Sequence, residues 1–445
     1  MLLRNFHFFL FLIKITFQLE NQIIIYSIKK YSQNLDLKTP EEILKDLKDN
    51  SQLSINFEIG TPTQTIPIYL DFDKYPISLA GPQIKESNII YNNTQSSSSK
   101  INTTNIQFNG EKFSKGYLSK DKISLINYDK KKNNNEGKKI EIDDLNFVLS
   151  SDQKGKESGI LGLTPQEIYA GNNLGEYNFI NQLKLKKIIK SSIFTIKFTE
   201  NKEEGELIIG DYPHKYDTKN YNENNYKYLY AMQRNGIIRW DITFDNIYSN
   251  NEIITKDVKS VFSIESGVII SFFDYKEFID KQFFNEKINS NQCFTQKLGV
   301  IDYYYYYYCN KDVDLSKFPN LNFEIKSLGF NLTLSNKDLF KLINDKYIFL
   351  VLISGTSISY WVIGEPFFRK NQIVFNQEIK NIGFYLGESK KKNSIFDSKI
   401  FWIFMVIISI IIILYLIKII YFNFIQKSKR QLANELIENY NILDK

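Results

Sequence analysis

The chain has 445 residues, 43% of them hydrophobic and 24% charged, so it is long enough for two or three domains and too apolar to be largely disordered. Its net charge of +6 is modest and its lysine-rich run Lys130–Lys139 is typical of a solvated loop, which argues against a nucleic-acid-binding protein. Only two histidines, His7 and His214, and two cysteines are present, which excludes an HExxH metal site, a zinc finger and a histidine-paired nucleophile, and leaves carboxylates as the available catalytic groups.

Residues 1–19 are predicted to form a signal peptide. Arg4 precedes the apolar run Phe6–Ile13, which is the order of residues in a secretory leader and is too short to span a bilayer. Because no A-x-A cleavage site follows, a signal anchor or a buried strand also fits this run.

A helix is predicted to begin after Thr39, which can cap it. Pro40 suits the first helical position, and Glu41 and Glu42 place negative charge in the first turn. From Leu53 onward, short alternating or apolar segments are separated by Gly, Asn, Lys and Ser turns, which predicts a mainly β protein.

Several local features point to an oxidising compartment. Cys293 and Cys309 are predicted to form a disulfide that closes a loop of modest size and adds about 3 kcal/mol. Three sequons are predicted to be glycosylation acceptors, at Asn92, Asn102 and Asn331.

The tyrosine run Tyr303–Tyr308 and His214 are both predicted to lie at the surface.

A transmembrane helix is predicted over residues 400–422. Its core, Ile400–Ile417, is long enough to span a bilayer and shows no polar positions at helical spacing. The basic residues that follow it indicate a cytosolic tail over 423–445: Lys418, Lys427, Lys429 and Arg430. The prediction is therefore a single-pass type I membrane protein of the secretory or endolysosomal pathway or the cell surface.

Between residues 52 and 388 the sequence resembles the pepsin-like aspartic peptidases. The resemblance rests on several motifs in family order: IGTPTQTIPIYLDF from Ile59, ESGILGL at 157–163, GELIIG at 205–210, the Trp240-Asp241-Ile242 strand start, FPNLNFEI at 318–325 and WVIGEPFF from Trp361. Each motif is weak alone, but their common order over this length is specific.

The resemblance implies an all-β, bilobal fold of two β-barrel-like lobes with a cleft between them. The lobes are predicted at 51–225 and 226–390, and the protein is expected to be a monomer that takes a peptide or protein in the cleft. Residues 20–50 then fit either a short propeptide or a simple linker. No metal or organic cofactor is implied, because in this family two carboxylates activate the attacking water.

The first active-site loop of the family corresponds to Asp71-Phe72-Asp73. Asp71 retains the catalytic carboxylate. Phe72 removes the hydroxyl that braces the two loops, and Asp73 places a third carboxylate where the family has a glycine.

The second loop corresponds to Glu265-Ser266-Gly267. The serine and glycine persist, but glutamate replaces aspartate and moves the carboxylate out by one C–C bond, about 1.5 Å. A misplacement of about 1 Å can cost on the order of a hundredfold in rate. The predicted catalytic residues are therefore Asp71 and Glu265, in an impaired arrangement.

The hairpin that covers the cleft is predicted over residues 106–121. Phe108 stands where the family has a tyrosine, and Ser78 replaces the tryptophan that supports that tyrosine. The predicted substrate-binding residues are Phe108, Gly110, Ser266 and Gly267.

Three functions remain open on the sequence. Departures converge on the active site while scaffold residues such as Gly60, Gly162 and Gly364 are kept, which favours a folded family member with weak or absent peptidase activity. An active endopeptidase working at acid pH with an Asp/Glu pair is the first alternative. A peptide-binding or surface scaffold protein is the second.

Overall fold

The computed structural model describes residues 23–30, 39–49, 52–85, 87, 89–107, 115–127, 138–152, 157–165, 174–199, 204–234, 237–300, 303–356, 360–386, 414–415, 417–432 and 434. The chain divides into two units, Met1–Gly387 and Glu388–Lys445. In the second unit residues 417–432 are helical. None of the helices in the described residues is long and apolar enough to cross a membrane. The predicted leader and most of the core of the predicted transmembrane helix lie outside the described residues.

The first unit is built mainly from strands. Those of the first half, in chain order, are β1 (Ile24–Lys30), β2 (Leu53–Ile59), β3 (Gln64–Asp71), β4 (Ile77–Ala80), β5 (Lys100–Gln107), β6 (Lys115–Asn127), β7 (Lys138–Ser150), β8 (Gly159–Gly162), β9 (Ile193–Phe198), β10 (Glu204–Ile209) and β11 (Tyr226–Tyr230).

The second half continues in the same style. Its strands are β12 (Gln233–Arg234), β13 (Ile237–Ile238), β14 (Asp241–Ser249), β15 (Glu252–Phe262), β16 (Ile269–Ser271), β17 (Cys293–Leu298), β18 (Tyr304–Asn310), β19 (Leu321–Ile325), β20 (Phe330–Leu334), β21 (Phe340–Ile343), β22 (Lys346–Phe349), β23 (Val351–Ser354), β24 (Trp361–Ile363), β25 (Ile373–Asn376) and β26 (Asn381–Tyr385).

Short helices connect these strands. They are α1 (Pro40–Asp49), α2 (Phe179–Leu185), α3 (Pro213–Tyr216), α4 (Lys276–Ile279), α5 (Asn285–Asn289), α6 (Asn336–Leu339) and α7 (Glu365–Lys370), with a π-helical turn at Asp280–Phe284 between α4 and α5. The predicted start of α1 is confirmed, because the Glu42 amide donates to Thr39 Oγ1 (3.2 Å) and the Thr39 amide donates to the Glu42 carboxylate (2.9 Å).

Among the described residues, two large sheets contain nearly all strands. Thirteen strands form the first sheet, in the order β11-β26-β25-β9-β10-β1-β2-β3-β8-β4-β7-β6-β5. The second has the order β20-β19-β14-β15-β24-β16-β23-β18-β22-β21, with β17 added beside β18. This mainly β architecture of two barrel-like sheets confirms the predicted fold class at that level.

The first sheet draws strands from both halves of the chain. β25 pairs antiparallel with β9, where Phe375 lies opposite Phe194, and their rings stack 5.1 Å apart. β1 pairs antiparallel with β10 along its length and buries Ile24, Tyr26 and Ile28 in the core. Residues 24–30 are therefore an integral strand of this sheet.

Burial follows the strand period of two. In β2 the alternate residues Leu53, Ile55, Phe57 and Ile59 are buried, because this strand covers the core with one face. The short strand β23 is buried on both faces and is apolar except for its last residue, as a strand inside packed layers must be.

Two surface predictions are wrong. Tyr306 and Tyr307 in β18 are fully buried, because β18 is flanked by other strands and both of its faces are covered. The Tyr307 hydroxyl donates a hydrogen bond to the Asp280 carboxylate (2.6 Å).

His214 is also buried, with 7% of its surface exposed. Its ring stacks on that of Tyr212, with 5.3 Å between the ring centroids, and its Nδ1 lies 2.7 Å from the Tyr385 hydroxyl oxygen.

Candidate active site

The first candidate loop begins at the end of β3. Asp71, its last residue, is 3% exposed. Its Oδ1 accepts hydrogen bonds from the backbone amides of Asp73 (2.8 Å) and Lys74 (3.0 Å). Since both donors belong to the loop that carries the aspartate, the loop itself fixes the orientation of this carboxylate.

The second candidate loop connects β15 to β16 and carries Glu265. The Ser263 hydroxyl donates to Glu265 Oε2 (2.7 Å). The Ser266 hydroxyl donates to the carbonyl of Val268 (2.8 Å), within the same loop. The serine that the resemblance assigned to bracing the two loops therefore contacts its own loop.

A hydrogen bond between the two loops is formed by Glu265. The backbone amide of Phe72, which follows Asp71, donates to Glu265 Oε1. The structure thus places the glutamate side chain directly against the Asp71 loop. An aspartate at position 265 would be shorter by one C–C bond, about 1.5 Å, so the extra methylene supplies the reach that this contact uses.

Each loop rests on a glycine from a neighbouring strand end. At Gly162, a Cβ would lie 2.6 Å from the backbone of Lys74 in the first loop. At Gly364, a Cβ would lie 2.1 Å from the Val268 carbonyl oxygen and 2.5 Å from that of Ser266 in the second loop. Both approaches exclude any side chain. These glycines, which the sequence identified as scaffold, determine how closely the loops are supported.

The Phe72 ring is part of an aromatic cluster beneath the loops. It lies 4.9 Å from Phe375, 5.8 Å from Phe368 and 5.9 Å from Phe194, in each case edge to face. Phe72 is 3% exposed. The residue that removes the bracing hydroxyl therefore anchors its loop by apolar packing against both halves of the chain.

Asp73 contributes a third carboxylate near Asp71. Its side chain is 57% exposed, and its Oδ1 lies 3.7 Å from Nη1 of Arg239, which lies between β13 and β14. An ion pair this exposed adds little stability. Its consequence is local, since the guanidinium offsets the added negative charge beside Asp71.

Gly267 makes a contact that the sequence did not indicate. Its backbone amide donates to the carbonyl of Leu47, near the end of α1 (2.8 Å). Gly267 is buried, so this bond satisfies a donor that water does not reach.

The strands of the predicted hairpin are β5 and β6, which pair antiparallel from Lys100 opposite Lys120 to Gln107 opposite Lys115. Its position over a cleft stays a prediction. Phe108 and Gly110, at its tip, lie outside the described residues. Ser78 lies in β4 and is fully buried. The substrate-binding roles of Phe108, Gly110, Ser266 and Gly267 stay predictions.

The disulfide is confirmed. Cys293 and Cys309 face each other across the β17–β18 pair and are joined by an S–S bond of 2.05 Å. The sequon residues Asn102 and Asn331 are exposed and Asn92 is half-buried. Their glycosylation stays a prediction. Over the described residues, no three His, Cys, Asp or Glu side chains are grouped as metal ligands would be.

Sequence reasoning missed three participants in the site: Ser263, Arg239 and Leu47. Ser263 could have been suspected, because a hydroxyl two residues before an acid can reach it. Arg239 and Leu47 carry no motif and are brought to the loops only by the tertiary fold.

The model of the family Eukaryotic aspartyl protease matches residues 53–386. No curated protein sequence matches the chain. The family match covers most of the chain, so the chain belongs to the eukaryotic aspartyl proteases.

Proposed function

We propose that this aspartyl protease family member binds extended peptides between its two candidate loops and hydrolyses them weakly or not at all. The observation that carries the proposal is the hydrogen bond from the Phe72 amide to Glu265. It assigns the second carboxylate a structural contact with the opposite loop.

Peptide hydrolysis by two carboxylates requires both groups to hold one water molecule and to share one proton. Here Glu265 accepts from the Phe72 amide with one oxygen and from the Ser263 hydroxyl with the other. These two donors fix the Glu265 carboxylate between the loops, and this is the reason we propose that it shares a water and a proton with Asp71 poorly. Displacement of a reacting group by about 1 Å can lower a rate on the order of a hundredfold.

Peptide binding makes smaller demands on this site. An extended peptide gains affinity from main-chain hydrogen bonds and from pockets for alternate side chains, neither of which requires a catalytic pair. Two observations support such a cleft: both loops rest on their glycines, and β5 and β6 pair as the predicted hairpin.

A second candidate function is acid peptidase activity with an Asp/Glu pair. It is favoured by the intact setting of Asp71, whose Oδ1 holds two loop amides. In this alternative, Glu265 leaves the Phe72 amide when a substrate enters and then shares a proton with Asp71. This alternative predicts cleavage that depends on both carboxylates.

We also propose that the peptide-binding unit is a glycosylated monomer anchored by a single type I transmembrane helix in the secretory or endolysosomal pathway or at the cell surface. The support is the apolar run Ile400–Ile417, the basic residues after it, the leader-like residues 1–19 and the sequons.

The proposal is tested by binding. The full-length chain is immobilised, a random peptide library is passed over it at pH 5 and pH 7, and retained peptides are identified by mass spectrometry. A chain carrying Asp71→Asn and Glu265→Gln is run in parallel. Intact peptides retained by both chains support the proposal. Absence of retention by the folded wild-type chain would leave the scaffold alternative.

A further inference from the structure

We propose that α1 is a permanent positioning element of the Glu265 loop, so that residues 39–49 remain part of the working protein and are not a removable propeptide. The inference rests on the proposed function in that the loop it positions is the one proposed to contact peptide. The observation is that the Gly267 amide is bonded to the Leu47 carbonyl, more than two hundred positions upstream in the sequence.

The apolar face of α1 is docked on the second-half sheet. Ile43, Leu44 and Leu47 are 2%, 0% and 6% exposed. They form one apolar cluster with residues of the loop and of the strands beside it: Val268, Ile270, Leu298, Tyr306, Ile348, Leu350 and Leu352. Val268 directly follows Gly267, so the apolar cluster that contains the helix also includes a residue of the loop.

The hydrogen bond satisfies two groups that otherwise have no regular partner. The last carbonyls of an α-helix have no intrahelical donor, and Leu47 belongs to the last turn of α1. The amide of Gly267 is buried in a loop that forms no strand ladder at this position. Each group therefore supplies what the other lacks, and losing the contact would leave a buried donor unpaired.

The contact also makes the two loops unequal. In the first loop, the amide two residues after the acid, that of Asp73, donates to the acid itself. In the second loop the equivalent amide, that of Gly267, donates to α1. The Glu265 carboxylate accepts from Phe72 and Ser263. We infer that α1 directs the Gly267 amide away from Glu265 and thereby sets the orientation of that side chain.

The N-terminal side of α1 supports permanence. β1 forms six register pairs with β10 in the first sheet, while α1 packs against strands of the second. Removal of both would take the buried side chains of Ile24, Tyr26, Ile28 and Leu44 out of the core and uncover the edge of β10. Both segments therefore contribute buried residues to the folded chain, one to each sheet.

The test is amide hydrogen exchange of the full-length chain, read by mass spectrometry on the segment that contains Gly267. The variant is Leu44→Ala with Leu47→Ala, which weakens docking of the helix and changes no residue of either loop. The matched control is Lys45→Ala on the exposed face of the same helix. In the double variant we expect the Gly267 segment to exchange at least tenfold faster than in the wild type. In the control we expect its exchange rate to equal that of the wild type, and the rate of the β14–β15 hairpin should be unchanged in both variants.

Unchanged exchange at the Gly267 segment in a folded double variant would overturn the inference. If the double variant does not fold, the single Leu47→Ala chain is measured and the same two outcomes apply. The inference also fails if the chain isolated from its native cells begins after residue 49. Because none of these measurements uses peptide binding or cleavage, they separate a failure of this inference from a failure of the proposed function.

Discussion

The backbone amide of Phe72 donates to the side-chain carboxylate of Glu265, and this bond joins the loop that carries Asp71 to the loop that carries Glu265. In the sequence, Phe72 and Glu265 read as two separate losses, of a bracing hydroxyl and of a catalytic aspartate. In the structure they compensate for each other, because the longer side chain reaches the amide of the residue that lost its hydroxyl.

Removing the acceptor at position 265 should destabilise the protein, whereas removing only its charge should not. Glu265→Ala leaves the partly buried Phe72 amide without this acceptor, which costs about 1–3 kcal/mol. Glu265→Gln keeps an oxygen acceptor and should cost less than about 1 kcal/mol. Urea unfolding of the two full-length variants distinguishes them. Equal losses would show that the charge, not the hydrogen bond, is what the loop requires.

Restoring a hydroxyl at position 72 should weaken the fold rather than repair the site. Phe72→Thr removes a ring packed against three other rings, and large-to-small changes of this kind cost about 3 kcal/mol. The control is Tyr230→Ala, whose ring is 66% exposed and whose loss should change the unfolding midpoint little. A threonine variant as stable as the wild type would contradict the anchoring role of the ring.

The glycine beneath the second loop should tolerate no side chain. Gly364→Ala would place a Cβ 2.1 Å from the Val268 carbonyl oxygen, so the loop must move, at a cost of about 3 kcal/mol or more. Gly329→Ala is the control, because a Cβ there meets nothing within 4 Å and only its positive φ of 69° is unfavourable, by about 1 kcal/mol. Thermal unfolding of both variants is the measurement, and similar losses would argue against close support of the loop.

Stability should fall toward acid pH partly through His214. Burial, and then the nearby Lys215, lower the pKa of His214 below its ordinary value of 6.5, against weaker opposing effects of Glu223 and Asp211. The folded state therefore binds this proton less readily than the unfolded state, so stability present above pH 6.5 is lost as the pH falls through the lower folded pKa.

The check on His214 is a pair of urea titrations, at pH 7 and pH 5, on the wild type and on His214→Gln. The glutamine variant should lose less stability between the two pH values than the wild type. A wild type and variant with the same difference would show that His214 does not contribute to the acid sensitivity.

Features that depend on neighbouring residues in the chain could be predicted from the sequence. The cap at Thr39 was predicted from residue types alone, and the structure has it. The pairing of Cys293 with Cys309 followed because no other cysteine exists. The sequence identifies Gly162 and Gly364 as scaffold residues, and the structure gives the physical reason: the backbone of a candidate loop passes so close to each glycine that a Cβ would clash with it.

The features that the sequence could not supply depend on contacts between distant segments. Nothing in the residues around Leu47 indicates that its carbonyl meets the amide of Gly267, because a backbone contact leaves no signature in side-chain identity. The sequence predicts Tyr307 at the surface as part of a low-complexity run and His214 at the surface as a loop residue, whereas neighbouring elements cover both. The reach of Glu265 depends on where the opposite loop lies.

The most direct test of the central claim, that the site holds peptides without efficient cleavage, is a comparison of three full-length chains. The wild type, Asp71→Asn and the double variant Asp73→Gly with Glu265→Asp are incubated with a mixed peptide pool from pH 3 to pH 7, and new termini are counted by mass spectrometry. The account predicts that the wild type produces few or no cuts beyond those of Asp71→Asn, and that the double variant exceeds both at acid pH. Cleavage by the wild type that equals that of the double variant and that Asp71→Asn abolishes would contradict it and establish an active Asp/Glu pair.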